Sequence, residues 1–277
     1  TDVITSYQAA GYTDILVIDG GSSDDTPELA EKAGATVITQ TGSGKGQAVR
    51  QAVAHIDAPY VLMADADMTY RAADAEAMLE PLIAGEAEHV IGNRFADMRS
   101  GAMTTLNRVG NRFFNTIFGV IYGETYVDIL SGYRAFTTDS FERLTLTADG
   151  FGIETEMAIQ CAKHGITTTV VPITYRPRPD GSATNLHPIK DGTIILLELY
   201  PPAKTTIRRF TSPASASVPP PFAPSSWCLS SARASPSTSL TNLSLSAALQ
   251  RCGPVLNSCS PPSLRVCYSR CPVNTPP

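Results

Sequence analysis

The sequence predicts an α/β fold: a parallel sheet with helices on both faces, followed by a non-globular tail. Three observations predict it. Short apolar runs closed by turn residues alternate with helix-length segments from residue 15 to residue 121, the pattern of strand–helix–strand units. Polar clusters stand just after the apolar runs, at Asp19, at Asp65 and Asp67, and at Asn93 and Arg94. In such sheets ligands sit at the carboxyl ends of the strands. The composition then changes abruptly near residue 210, which marks where the folded part ends.

Residues 1–10 read as the end of a helix, so a segment upstream of Thr1 is expected. The run 15–19 is a strand, and Gly20-Gly-Ser-Ser-Asp-Asp-Thr26 is the turn that ends it. Pro27 suits a first helical position, and 27–34 are helix formers. Residues 36–39 read as a second strand and 42–46 as a glycine-rich turn. A helix over 47–55, a strand over 60–64, a helix over 72–83 and a strand over 89–92 follow. The segment 103–121 differs from the other helices. Met103, Leu106, Val109, Phe113, Ile117 and Val120 keep helical spacing beside Arg108 and Arg112, one turn apart. Such a stripe suits a membrane surface or a protein face; a core-facing helix with a solvated edge has the same pattern.

The 277 residues carry a net charge of −5, which argues against a general nucleic-acid binder. All 26 acids and 17 of the 21 bases lie in the first 210 residues. We therefore set a folded domain at 1–205 and a low-complexity tail at 206–277. The last 67 residues hold 12 of the 21 prolines and five of the six cysteines. An odd cysteine number with no CxxC pair and no histidine argues against a zinc or disulfide framework. The composition fits translation in a shifted frame: a serine codon TCN read one base earlier becomes a codon for Phe, Leu, Ile or Val. No apolar run reaches the roughly 20 residues that span a bilayer.

Asp65-Ala-Asp67 follows the strand 60–64, and alternation puts both carboxylates on one side. Paired carboxylates without His or Cys suit a hard cation, Mg²⁺ or Mn²⁺, bridged to substrate phosphates; two solvated loop acids are the plainer reading. Gly42-Ser-Gly-Lys-Gly46 is not a P-loop, because Thr39 and Gly46 stand where a glycine and a Ser/Thr are needed. Its amides beside Lys45 can still approach a phosphate, and a plain tight turn has the same residues. Arg94, Arg108, Arg112, Arg134, Arg176 and Arg178 recur next to glycines and aromatics. Guanidinium groups match phosphate geometry.

Val17-Ile-Asp-Gly-Gly-Ser-Ser-Asp-Asp-Thr26, Gly44-Lys-Gly46, Ala64-Asp-Ala-Asp67, Asp128-Ile-Leu-Ser-Gly-Tyr-Arg134, Phe151-Gly-Ile-Glu-Thr-Glu156 and Val171-Pro-Ile-Thr-Tyr-Arg176 occur in one order. Together, over roughly residues 10–205, they resemble the family 2 glycosyltransferases of GT-A fold. The likeness is to the dolichyl-phosphate hexose synthases, in particular the haloarchaeal enzymes of S-layer protein N-glycosylation. The resemblance implies an inverting, metal-dependent transfer of a hexose from UDP-glucose or GDP-mannose to dolichyl phosphate at the cytoplasmic face of the cell membrane, with no nucleic-acid partner.

Residue by residue, it implies that Asp19, Gly44, Lys45, Gly46, Asp65 and Glu154 bind the nucleotide sugar. Asp65 and Asp67 hold Mg²⁺ or Mn²⁺. Arg94, Arg108, Ser131 and Arg178 grip the acceptor phosphate, and Asp67, Asp128 and Arg134 form the catalytic set. Glu154 and Glu156 are the family's acidic pair. Three departures stand out. The family's opening strand has no counterpart after Thr1, Thr69 replaces a frequent Gln, and the tail begins where many relatives continue into a membrane hairpin. A sugar-1-phosphate nucleotidyltransferase and an inactive membrane-associated scaffold of the same fold are the alternatives.

Overall fold

The computed structural model describes residues 1–179, 192–193, 195–196 and 199, and the backbone of the strand Leu264–Arg270. Residues 1–210 and 262–277 form one compact unit. The second unit, 211–261, and with it most of the tail, lies outside the described residues, as does the boundary expected at 205.

Seven strands form one sheet in the order β2-β1-β7-β3-β5-β4-β6. They are β1 (Asp14–Asp19), β2 (Thr36–Thr39), β3 (Tyr60–Asp65), β4 (His89–Met98), β5 (Arg134–Thr137), β6 (Thr168–Tyr175) and β7 (Leu264–Arg270). The helices are α1 (Asp2–Ala9), α2 (Thr26–Lys32), α3 (Lys45–Val53), α4 (Ala75–Ile83), α5 (Thr105–Tyr122), α6 (Thr138–Glu142) and α7 (Ile153–His164).

Alternation along the strands divides the core in two. Ile15, Val17, Leu62 and Ala64 join one apolar cluster with Met78 and Leu82 of α4. Leu16, Ile18, Val61 and Met63 join another with Val49 of α3 and Met157 of α7. Because both faces of β1 and β3 are covered, these strands read as continuous apolar runs. A fully buried leucine such as Leu16 or Leu62 contributes about 1.5–3 kcal/mol. Phe118 of α5, Ile91, Ile129 and Ile159 make a third, smaller cluster.

Two sequence expectations need correction. The sheet is mixed, since β5 runs antiparallel to both β3 and β4. Thr137 ends β5 and at once caps α6, its hydroxyl accepting the Ser140 N–H; a four-residue strand without alternation leaves little periodicity to detect. The tail also supplies an element. β7 lies between β1 and β3, parallel to each, with Arg270 in register with Asp19 and Ser269 with Asp65. Its Leu-Arg-Val-Cys-Tyr-Ser-Arg alternates, and the backbone ladders of β1 and β3 both find partners in it.

Candidate active site

The site is built at the carboxyl ends of β1 and β3 and at the start of α3. The Asp19 carboxylate, buried at the end of β1, accepts the Gly21 N–H at 3.0 Å and the Ser22 N–H at 2.9 Å. It thereby closes the turn that follows β1.

Gly44 and Gly46 are glycines for a steric reason. A Cβ on Gly44 would lie 2.3 Å from the Asp149 carbonyl oxygen, and Gly44 has φ +88°. A Cβ on Gly46 would lie 1.9 Å from the Ala148 carbonyl oxygen. Bare backbone lets the Gly46 N–H donate to Asp149 O at 2.8 Å. Glu156 fixes the other side of this contact, accepting Thr147 N–H at 2.8 Å and Ala148 N–H at 2.9 Å. The sequence motif is therefore a docking joint between α3 and the 147–149 loop, and it presents Lys45.

Lys45 is buried between two carboxylates, with Nζ 2.5 Å from Asp65 Oδ1 and 2.5 Å from Glu154 Oε1. Burial alone would lower the ammonium's pKa, but Asp65 and Glu154 outweigh it and hold it well above the ordinary value. Gly132 comes close here: a Cβ on it would lie 2.6 Å from Asp65 Oδ2 and 2.8 Å from Lys45 Nζ. Asp67 accepts the Thr69 hydroxyl at 2.6 Å through Oδ1 and Arg178 Nε at 2.8 Å through Oδ2. Met68 between them has φ +64°, a left-handed conformation of the kind that concentrates at ligand sites.

Arg94 and Asp128 form a second, deeper pair. Asp128 Oδ2 accepts the Arg94 N–H at 3.0 Å and Nε at 2.8 Å, and Oδ1 accepts Nη2 at 2.7 Å. Asn111 of α5 takes Nη2 as well, at 3.0 Å. The guanidinium lies 5.4 Å from the Tyr175 ring centroid, a cation–π distance. Burial alone would lower the Arg94 pKa, but Asp128 outweighs it and raises it well above the ordinary value.

Two tyrosines join these pairs. The buried Tyr70 hydroxyl accepts the Gly132 N–H at 3.1 Å, and its ring stacks on Tyr133 at 4.9 Å. Burial, then Asp65, raises the Tyr70 pKa well above normal, and Arg94 and Lys45 act on it too. Tyr175 is tilted against Tyr70 at 5.7 Å and faces the Arg94 guanidinium. Gly132, packed against Asp65 and hydrogen-bonded to the Tyr70 hydroxyl, thus connects the carboxylate side to the arginine side through two aromatic rings.

Asp19, Lys45, Asp65, Asp67, Arg94, Glu154 and Arg178 stand at or beside these strand ends. Other expected residues have different places. Arg134 is fully buried, donating from Nε to Ser131 O at 2.9 Å and from Nη2 to Ile129 O at 2.6 Å, with Nη1 3.2 Å from His89 Nε2. It braces the 129–134 loop as a positioning residue. Ser131 is also fully buried, and its hydroxyl accepts the Tyr133 N–H at 3.4 Å. Asp128 directs both oxygens at Arg94. Arg108 is exposed on the first turns of α5, its Nη2 3.5 Å from Met98 Sδ.

Sequence reasoning missed Tyr70, Asn111 and Gly132. Asn111 carried a faint signal, as a polar residue one turn beyond the Arg108 position and on the buried side. Gly132 lay inside a noted motif, but its need is a close approach that only folding creates.

Among the described residues no cluster of three His, Cys, Asp or Glu can hold a metal ion. Asp65 and Asp67 offer two hard oxygen donors. That set fits a Mg²⁺ or Mn²⁺ that completes its roughly six oxygen ligands with phosphates and water.

Residues 5–145 match the family described as Glycosyl transferase family 2. The chain is 67% identical over 205 residues to the glycosyltransferase AglJ of Haloferax volcanii, covering 74% of this chain and 67% of that protein. It is 35% identical over 185 residues to a dolichyl-phosphate hexose transferase of the same organism, covering 67% and 78%. A low-salt glycan biosynthesis hexosyltransferase, Agl6, is 33% identical over 65% of this chain and 44% of its own length. Among solved structures, glucosyl-3-phosphoglycerate synthase from Mycobacterium tuberculosis with Mn²⁺ and UDP-glucose superposes with a TM-score of 0.54 at 20% identity, over 71% of this chain and 82% of that one. The same enzyme with phosphoglyceric acid gives 0.55 at 18% identity, over 73% and 84%. Motif order, GT-A-like fold and sequence identity agree: the chain belongs to glycosyl transferase family 2 and is a glycosyltransferase.

Proposed function

We propose that the chain transfers a hexose from a nucleotide sugar, UDP-glucose or GDP-mannose, to dolichyl phosphate at a membrane surface, with inversion, in glycan assembly for protein N-glycosylation. One observation carries the reading: Gly132, packed against Asp65, leads through Tyr70 to the Tyr175 ring that Arg94 faces, and Arg178 holds Asp67, close to Asp65 in sequence. Acidic donor-side groups and basic acceptor-side groups therefore line one site. The relative named as a dolichyl-phosphate hexose transferase supports a lipid phosphate as acceptor. Neighbours solved with Mn²⁺ and UDP-glucose are in keeping with a metal-assisted nucleotide-sugar donor.

The chemistry follows from charge. In the transfer, the bond from the anomeric carbon to the nucleoside diphosphate breaks, and a bond to an acceptor phosphate oxygen forms on the opposite face. The electron pair leaves with the diphosphate. A phosphate monoester has a second pKa of about 6, so the nucleophile is already charged at neutral pH and needs no strong base. Asp128, with both oxygens on Arg94, is free of that duty. A bound Mg²⁺ or Mn²⁺ neutralises the departing diphosphate. Asp65 and Asp67 would hold it, and Lys45 keeps Asp65 in place. Arg94 and Arg178 would bring the second anion alongside the first.

The exposed face of α5 supports a membrane surface. Leu106, Val109, Phe113 and Val120 are 54–82% exposed beside Arg108 and Arg112. Apolar side chains flanked by arginines suit an anionic lipid interface. Among the described residues no helix is long and apolar enough to cross a membrane.

The test is direct. The full chain is incubated with Mn²⁺, dolichyl phosphate and radiolabelled UDP-glucose or GDP-mannose, and lipid-extractable label is counted. Labelled glycolipid is expected, with Asp67→Ala losing metal-dependent donor binding by at least about tenfold. Pyrophosphate released in a parallel incubation with a nucleoside triphosphate and a hexose 1-phosphate, without glycolipid in the first, would assign a nucleotidyltransferase instead, and donor binding without turnover would assign a scaffold.

A further inference from the structure

Each carboxylate of the Asp65-Ala-Asp67 pair holds a side-chain cation: Lys45 on Asp65 at 2.5 Å and Arg178 on Asp67 at 2.8 Å. We propose that Arg178 is an exchangeable counter-ion: it neutralises Asp67 until a divalent cation takes that carboxylate, and the released guanidinium then receives the acceptor's phosphate. The inference rests on the functional reading above and adds an order to it, metal before acceptor.

The two cations differ in how they can respond. Lys45 is sealed in, with side-chain exposure of 7%, and keeps Glu154 as a second anion if Asp65 turns to a metal. Arg178 is 35% exposed, and its Asp67 partner 17%. A pair open to water is held weakly and separates at little cost. The buried Arg94–Asp128 pair, 10% and 0% exposed, has no such freedom, because either charge alone would be stranded.

Charge favours the exchange. A metal ion taken up on Asp67 Oδ2 repels the guanidinium on that same oxygen, and the more exposed partner is the one that can move. The backbone keeps the displaced group near. Arg176 N–H donates to Thr69 O at 3.0 Å, and Tyr70 bridges to Tyr175. The chain just before Arg178 is therefore tied to the Asp67 loop. On leaving Asp67, the guanidinium stays three residues along the chain from Tyr175, whose ring Arg94 already faces. Two guanidiniums there suit a dianionic phosphate.

The experiment reads metal binding without turnover. Mn²⁺ affinity of the full chain is measured by electron paramagnetic resonance for the parent, Arg178→Ala, Arg178→Lys and Arg99→Ala. The last removes an exposed arginine that pairs with Asp97. Arg178→Ala is expected to bind Mn²⁺ about threefold to tenfold more tightly, with Arg178→Lys and Arg99→Ala near the parent. A short-chain prenyl phosphate is then titrated with and without Mn²⁺. The parent should bind it more tightly with the metal present, and by reciprocity the metal more tightly with it; Arg178→Ala should lose this coupling. Parent-like Mn²⁺ affinity in Arg178→Ala overturns the proposal, as does absence of coupling to any phosphate in the parent. If inorganic phosphate shows the coupling and the prenyl phosphate binds to no form, the exchange stands and the lipid-acceptor reading falls.

Discussion

Asp128→Ala isolates what a buried carboxylate does when it touches another side chain rather than the chemistry. The substitution deletes three hydrogen bonds to Arg94, at 3.0, 2.8 and 2.7 Å. It leaves the guanidinium at 10% side-chain exposure, with Asn111 Oδ1 and the Tyr175 ring as neighbours. Stranding one charge of a buried pair costs about 3–5 kcal/mol, a large share of the 5–15 kcal/mol typical of a whole protein. The melting temperature should fall by roughly 6–20 °C. Asp128→Asn should destabilise as well, because its amide turns a donor toward Arg94's own donors. Urea denaturation of these variants, with Arg94→Met/Asp128→Leu beside them, gives the measurement. The double variant should recover most of the stability, since no charge is left unpaired, yet bind acceptor phosphate poorly. If Asp128→Ala kept parental stability and lost only turnover, Asp128 would act on substrate and the positioning role would be wrong.

Gly46→Ala drives a Cβ to 1.9 Å from a backbone carbonyl and should cost about 2–3 kcal/mol, whereas Gly110→Ala, with nothing within 4 Å in α5, should stabilise by up to about 1 kcal/mol; thermal melts of both check the contrast. Acid should destabilise the fold through His89, which is fully buried, stacked on Phe136 at 4.2 Å and held well below its ordinary pKa by burial and then Arg134. The unfolded chain takes up a proton near pH 6.5 and the folded chain does not, so stability is lost as pH falls below 6.5, about 1.4 kcal/mol by pH 5.5; a His89→Gln denaturation series should lack that component. Phe113→Ser on the exposed face of α5 should weaken binding to anionic lipid vesicles by about tenfold. Arg112→Gln should weaken it less, with an effect that fades at high salt; vesicle co-sedimentation unchanged by either would remove α5 from the membrane contact.

Much of the site was legible because its residues are local signals. Asp65 and Asp67 announce themselves by a two-residue spacing after an apolar strand, and the chain alone establishes that spacing. The same holds for the strand–turn at Asp19 and the glycines flanking Lys45. Tertiary structure decided what those groups touch. Lys45 meets Glu154 across 109 positions, Arg178 meets Asp67 across 111, and Arg94 meets Asp128 across 34, contacts that no periodicity encodes. It separated Glu154, which faces Lys45, from Glu156, which anchors a loop, because helix positions two apart diverge by about 200°. It also withdrew Arg134 and Ser131 from the solvent side of the site, since burial depends on what packs above a residue. Residue chemistry and order came from the chain; pairing of charges, direction of β5 and burial of arginines came from the fold, because they are set by neighbours distant in sequence.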